Sequence, residues 1–485
     1  MIGMKQLSRY LFILMMLIAS SCDSWLELVP PDGLVQDEYW QTKEDIKATL
    51  MGAYNQLTEM DEALFLYGEI RGGLIDEDNN TPTYIRETLK GNIKPDNDLC
   101  NWSGFYKVIN YCNSVLKYNP IIFELDQTYS EYQMLGIASE ALFLRSLSYF
   151  YLIRIFNEVP LVLYPTESDN VELYPHKSPE HVIIDTIKAD LIKARNYISD
   201  DYGSIENNRG RASKNAINAL LADISLWNFD YEEGMGYIEA IENTVINLVS
   251  SGEWFTNFYP GNSIEGIFEL QYDASLSQNN SLYSATYTSD IYIASAGAIE
   301  LLSRETAKEI VRGDGSYRSS DSKIWKYCGS SNDGNSLRPG SDKNSANWIF
   351  YRYADILLMK AEALSQLGRF SEAIEYINMV RERAHMSTKS APQSPEAFED
   401  LILEERAKEL AFEGKRWFDL LRMGRRNDYA RKDKLIDIIV KNVPSNQRLV
   451  LASKLKNPMG WYFPIEDIEI ERNKNLVQNP YYEGY

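Results

Sequence analysis

The sequence predicts a mainly α-helical scaffold of stacked helix pairs, with long irregular loops that carry the functional site. Three observations predict it. Apolar residues recur at helical spacing along much of the chain. Residues 361–377 read as two short helices that meet across a tight turn. Between the helical stretches run long polar segments with no apolar periodicity.

The chain opens with Lys5 and Arg9, the apolar run Leu11–Ile18, and then Ala19-Ser20-Ser21 ahead of Cys22. A charged start, a short apolar core and small residues make a secretory signal over residues 1–21, too short to span a bilayer of about 30 Å. The small residues before Cys22 resemble a bacterial lipobox, although Ala19 stands where leucine is expected. That resemblance implies acylation of Cys22 and a single domain, residues 22–485, held on a membrane by lipid.

Helices are predicted over Lys43–Met60, Phe105–Tyr118 and Glu131–Phe156. The first carries Ile46, Leu50, Ala53, Tyr54 and Leu57 on one face. Ser178-Pro179-Glu180 reads as the start of a helix reaching about Ile198, with serine as cap and proline at the first position. Ser213 caps another to about Phe229, and one more spans Gly236 to Ser250. In residues 361–377, Ala361 and Ala373 allow close approach, Gly368 permits the turn, and Phe370 and Ile377 fill the groove. This resembles one tetratricopeptide unit, and a weaker version begins at Ala216. One unit cannot cover its own apolar face, so several pairs must stack. The loops are expected at about 72–101, 252–298 and 313–347, and long ordered loops are commonly functional.

Composition excludes some functions. Loss of the signal takes the formal charge from −21 to about −23. So acidic a surface excludes nucleic-acid binding and electrostatic docking on anionic lipid. With Cys22 assigned to lipid, Cys100, Cys112 and Cys328 form neither a disulfide framework nor a zinc site. Cys100 and Cys112 are expected on one helix, too far apart to bridge. His176, His181 and His385 share no catalytic motif, and no nucleophile elbow, zinc motif or phosphate loop is present, so the chain is expected to be no enzyme and to need no cofactor. Asp76-x-Asp78-x-Asn80 with Glu87 approaches a calcium loop. Thr81 replaces its required glycine and Pro82 follows, so no metal is expected.

Four segments, in order, resemble one family. Trp25-Leu26-Glu27-Leu28-Val29-Pro30 after Cys22 is similar to the "C-x-x-F-L-D-x-x-P" opening of SusD/RagB outer-membrane lipoproteins of Bacteroidetes. Tyr351–Ala363 resembles their "R-Y-A-D-v-L-L-m-x-A-E-A" segment. Ile402–Arg422 is the most specific block, and Phe463–Ile468 with Asn473 to Tyr482 completes the set. Read physically, the charges of Glu404–Leu421 decorate a salt-bridged helix that ends at Gly414, with Trp417 and Phe418 packing the next helix back. These are fold-holding residues.

The resemblance implies a cell-surface glycan-binding protein that delivers oligosaccharide to a SusC-like TonB-dependent transporter as its lid, on the outer face of the outer membrane. It leaves open a RagB-like peptide-binding lid or a surface scaffold. Sugar binding needs aromatic rings with polar residues at their edges, and 33 tyrosines against 17 phenylalanines suit that role. By region, the resemblance points to Asp78, Tyr84, Arg86 and Trp102 in the first loop, Tyr283 and Tyr292 in the second, and Trp325 in the third, where an exposed indole is expected.

Overall fold

The computed structural model describes residues 40–167, 173–303 and 310–483; the signal segment, Cys22 and Trp25–Pro30 lie outside them. Helices in chain order are α1 Lys43–Thr58, α2 Asp61–Glu69, α3 Thr83–Leu89, α4 Ser103–Leu125, α5 Glu131–Phe156, α6 Glu180–Arg195, α7 Ile205–Gly210, α8 Lys214–Trp227 and α9 Tyr231–Glu242. Then come α10 Ala296–Leu301, α11 Arg312–Ser316, α12 Tyr353–Gln366, α13 Phe370–Arg383, α14 Pro395–Glu409, α15 Arg416–Tyr429, α16 Lys432–Lys441, α17 Ser445–Leu455 and α18 Asp467–Arg472. The strands are β1 Ile75–Glu77, β2 Val159–Pro160, β3 Lys177–Ser178, β4 Gly266–Leu270, β5 Tyr292–Ala294 and β6 Trp348–Arg352.

Stacking follows the chain: α1 packs on α4, α4 on α5, α5 on α6, α6 on α8, α8 on α9, α9 on α12, and α12 on α13 and α14. Local signals account for the helix ends. Ser130, Ser213 and Ser394 accept the N3 backbone N–H at the starts of α5, α8 and α14, which satisfies donors no helix can satisfy itself. Gly368, at φ +76°, makes the turn between α12 and α13, a conformation that costs glycine nothing. Ala361 and Ala373 are fully buried there, and Phe370 stacks on Phe398 of α14 at 5.3 Å.

Several expectations are corrected. α4 runs on to Leu125 through Pro120, and α9 starts at Tyr231 and stops at Glu242, well short of Ser250. Cys100 sits in a 3₁₀ turn before α4, so it does not share a helix with Cys112; both are buried free thiols, as is Cys328. The second loop contains β4, which pairs antiparallel with β6, and both strands are buried throughout. A strand covered on both faces reads as a plain apolar run and shows no alternation.

The main core extends from Ile46 to Tyr482. A smaller one, formed by Trp254, Phe255, Phe258, Tyr283, Trp325 and Ile349 among others, lies beneath the loops. At the C-terminal face of the stack most charges of the Tyr351–Ala363 and Ile402–Arg422 blocks are buried, not displayed. Arg352, 1% exposed, bonds Glu265, Glu409 and Glu413 at 2.5, 2.7 and 2.8 Å. Arg406 joins Asp355 to Asp419 at 2.9 and 2.8 Å, and Arg422 joins Glu362 to Asp419 at 2.7 and 3.0 Å. Burial by itself would raise the Glu409 carboxyl, but Arg383, Arg352 and Arg312 hold it well below the usual carboxylate range. The Glu404–Leu421 block therefore ties α12, α14 and α15 together from inside.

Candidate functional site

All three loops meet at one lysine. Lys323, from the third, reaches Asp78 of the first at 2.7 Å and Asp290 of the second at 2.5 Å. Backbone bonds knit the same segments: Asp78 N–H to Ile291 C=O, Asn80 N–H to Asp290 C=O, and Ala294 N–H to Ser322 C=O. The β1–β5 ladder, with Glu77 opposite Tyr292 and Asp76 opposite Ile293, sets the register that aligns them. Burial alone would lower the Lys323 ammonium, but its bonds to Asp290 and Asp78 outweigh burial and raise it.

Around this junction lies a polar rim. Arg318 grips Asp321 with two bonds of 2.9 and 2.5 Å, and its guanidinium covers the rings of Tyr287 and Trp325 at 5.0 and 5.2 Å. Arg86 pairs with Glu77 at 2.7 Å, both side chains about two-fifths exposed. Asn79, Asn80, Thr288, Ser319 and Ser320 are exposed, and Tyr287 is half-buried. The rim thus offers hydroxyls, amides and both charge signs beside the half-buried Tyr287 ring. That is the chemistry needed by a ligand carrying many hydroxyl groups.

The structure treats the seven expected residues differently. Asp78 and Arg86 stand in the rim. Tyr84, half-buried on α3, has its phenol pushed up to about 12 by burial and the nearby Glu62 and Asp98, and it lines a neighbouring groove with Glu87 and Asn92. The other four aromatics are packing residues. Trp102, 3% exposed, meets Tyr106 and Phe156 edge-on at 5.6 and 5.4 Å and borders a different groove, along α4 with Tyr111. Tyr283 is buried in the small core one turn below Tyr287, at 5.5 Å. Tyr292 occupies the inward face of β5 and stacks on Phe65 at 5.0 Å.

Trp325 is fully enclosed, the reverse of the exposed indole expected. The loop folds back around it: Nε1 donates to the Ser331 carbonyl at 2.6 Å, and Gly329 leaves space that a Cβ would take, 2.2 Å from Nε1. A loop that looks polar in sequence can thus bury its one large apolar ring. Sequence reasoning missed Lys323, Asp290, Arg318, Asp321 and Tyr287. Tyr287 carried a signal, since it follows Tyr283 by one helical turn, and so did Arg318 with Asp321, an i,i+3 pair; Lys323 and Asp290 had none, because Lys323 meets Asp78 and Asp290 only across distant segments.

Asp78 is engaged by Lys323, and Glu87 accepts from Asn92 at 2.9 Å. Among the described residues, no three of His, Cys, Asp or Glu converge as a metal site. No helix among them is long and apolar enough to cross a membrane.

A sequence profile of the SusD family matches residues 313–482, and a second, described as "Starch-binding associating with outer membrane", matches residues 24–226. The chain belongs to the SusD/RagB family. SusD-like protein P2 of Formosa agariphila is 25% identical, with 96% of this chain and 98% of the relative covered. A SusD-like protein of Bacteroides ovatus is 24% identical over 84% of this chain and 80% of its own length. Solved SusD structures share the fold. A SusD superfamily protein of Bacteroides vulgatus aligns with TM-score 0.75 at 20% identity, covering 91% of this chain and all of that one (100%). A laminarin-binding SusD-like protein aligns with TM-score 0.71 at 20% identity over 92% of this chain and 100% of its own. Two of the blocks that carry the SusD/RagB resemblance, Tyr351–Ala363 and Ile402–Arg422, coincide here with the buried ionic network, and the loop rim stands apart from them.

Proposed function

We propose that this chain is a cell-surface glycan-binding lipoprotein that captures an oligosaccharide at the three-loop rim and delivers it to a SusC-like TonB-dependent transporter, acting as its lid. Anchoring would come from acylated Cys22 on the outer face of the outer membrane. Acylation confines the domain to the transporter mouth and raises its effective concentration there. The carrying observation is the junction at Lys323, which draws three distant loops into one open polar surface with the Tyr287 ring beside it. The starch-binding description of one matching profile and the laminarin-binding relative support the glycan class.

The same geometry supports binding without turnover. Glycoside cleavage needs a protonated carboxylic acid at the scissile bond. Here Asp78 and Asp290 are bridged by Lys323. For Asp321, burial would raise the carboxyl, but Arg318 and the Lys323 backbone N–H lower it overall.

The test is calorimetry of the chain against oligosaccharides, including laminarin- and starch-derived ones, and against peptides. Saturable sugar binding, without product release, that weakens about tenfold or more in Tyr287→Ala and Arg318→Ala supports the proposal, since one stacked ring or one charged hydrogen bond is worth roughly that much. Peptide binding at the same rim would make the chain a peptide-import lid. Binding of neither class would make it a scaffold.

A further inference from the structure

Between the β1–α3 segment and the C-terminal helices α16 and α17 the molecule encloses a cavity of about 200 Å³. Its walls combine apolar side chains, among them Ile75, Leu89, Ile439, Leu451 and Trp417, with polar ones such as Arg71, Thr88, Asn442 and Gln447. Gly91, at φ +68°, lets α17 close over it, because a Cβ there would stand 2.6 Å from Leu451 Cδ1. One wall, β1, is shared with the loop rim, where Glu77 lines the cavity and also pairs with Arg86.

Its charges are unusual. Arg71 is 8% exposed and lines the cavity with its guanidinium 4.4 Å from the centre of the Trp417 ring. It donates to the Trp461 and Gly460 carbonyls, both at 2.6 Å, and has no carboxylate partner among the described residues. Its remaining N–H groups are unspent there. Burial lowers this guanidinium, with only the Tyr482 and Tyr481 phenols acting against that. Lys454, also in the wall, donates to the Gly91 carbonyl at 3.1 Å and to Asn92, again without an ion pair. The acids in the lining are exposed and already engaged: Glu77 holds Arg86, and Asp76 accepts the Glu77 N–H at 2.8 Å. A buried cation without a counter-charge is costly, and proteins usually pair it.

We propose that this cavity is a binding site for a small organic anion with a flat apolar body, such as an arylalkanoate, whose carboxylate meets the free edge of Arg71. A guanidinium fork matches a carboxylate in geometry as well as charge, and the apolar side chains Ile75, Leu89, Ile439 and Leu451 are there to cover the flat body of the ligand.

The test titrates the full chain with phenylacetate and with phenylacetamide, its neutral isostere, using ligand-observed NMR and calorimetry. Phenylacetate should bind in one-to-one ratio, and the amide about tenfold or more weaker. Leu451→Trp, which fills the space, should abolish phenylacetate binding while oligosaccharide binding is unchanged. Arg71→Lys, which keeps the charge but loses the fork, should weaken it. Equal binding of acid and amide, binding that survives Leu451→Trp, or no binding of either would overturn the proposal. The acid–amide comparison on the unaltered chain decides the matter even where a variant fails to fold.

Discussion

Arg352 and Lys323 each bridge several carboxylates, one under the C-terminal helices and the other at the loop rim. Arg352 is sealed from water with Glu265, Glu409 and Glu413 around it. Lys323 is 10% exposed, and one of its two partners, Asp290, is 37% exposed. The same ionic chemistry therefore does different work. In the sealed cluster every charge depends on its partners, because losing one strands the others in low dielectric. At the rim a carboxylate that loses its lysine can turn to water, so the groups are free to exchange partners with a ligand. Arg352, Arg406 and Arg422, from the blocks at 351–363 and 402–422, mark the first setting, and the proposed ligand contacts belong to the second.

The largest effect that would break this contrast is at Arg352. Arg352→Ala should cost about 3–5 kcal/mol, read as a lower denaturant midpoint, whatever ligand is present. A loss below about 1 kcal/mol would mean the network is no more demanding than surface pairs. Next is Trp325→Ala. If the indole is packing and not a sugar platform, stability should fall by about 3 kcal/mol or more. A stable variant that merely loses sugar affinity would move Trp325 to the rim.

Glu69 sharpens the contrast through pH. It is buried, and burial pushes its carboxyl up to about 8, against the Gly414 and Lys415 N–H groups and the Arg416 and Lys326 charges. A carboxyl raised in the folded state gains a proton on folding. Its contribution is therefore lost as pH rises from the unfolded value of about 4.3 through about 8. Glu69→Gln mimics the protonated acid, so the Tm of the variant relative to the parent should rise across that interval; a constant difference would refute it. The smallest effect is at Arg86, two-fifths exposed on Glu77. Arg86→Ala should change stability by no more than about 1 kcal/mol while reducing oligosaccharide affinity in the same preparation.

Much of the scaffold was legible because helix signals are local. Spacing of apolar residues, serine caps and the glycine at 368 each act within a few residues, and α1, α5, α8, α12 and α13 follow them. The buried pair β4 and β6 left no such trace, since strands covered on both faces lack alternation. Of the proposed rim, less was legible. Asp78 and Arg86 fall in the rim, whereas Trp102, Tyr283, Tyr292 and Trp325 are core.

Amino-acid order alone determined the helical stack, the loop regions and the family, since periodicity, capping and motif order are properties of neighbours along the chain. Only the tertiary structure decided which rings face outward and which charges meet. A tyrosine reads the same in sequence whether it lines a rim, as Tyr287 does, or a core, as Tyr292 does. Lys323 and Asp78, 245 positions apart, become partners only because β1 and β5 pair beside them.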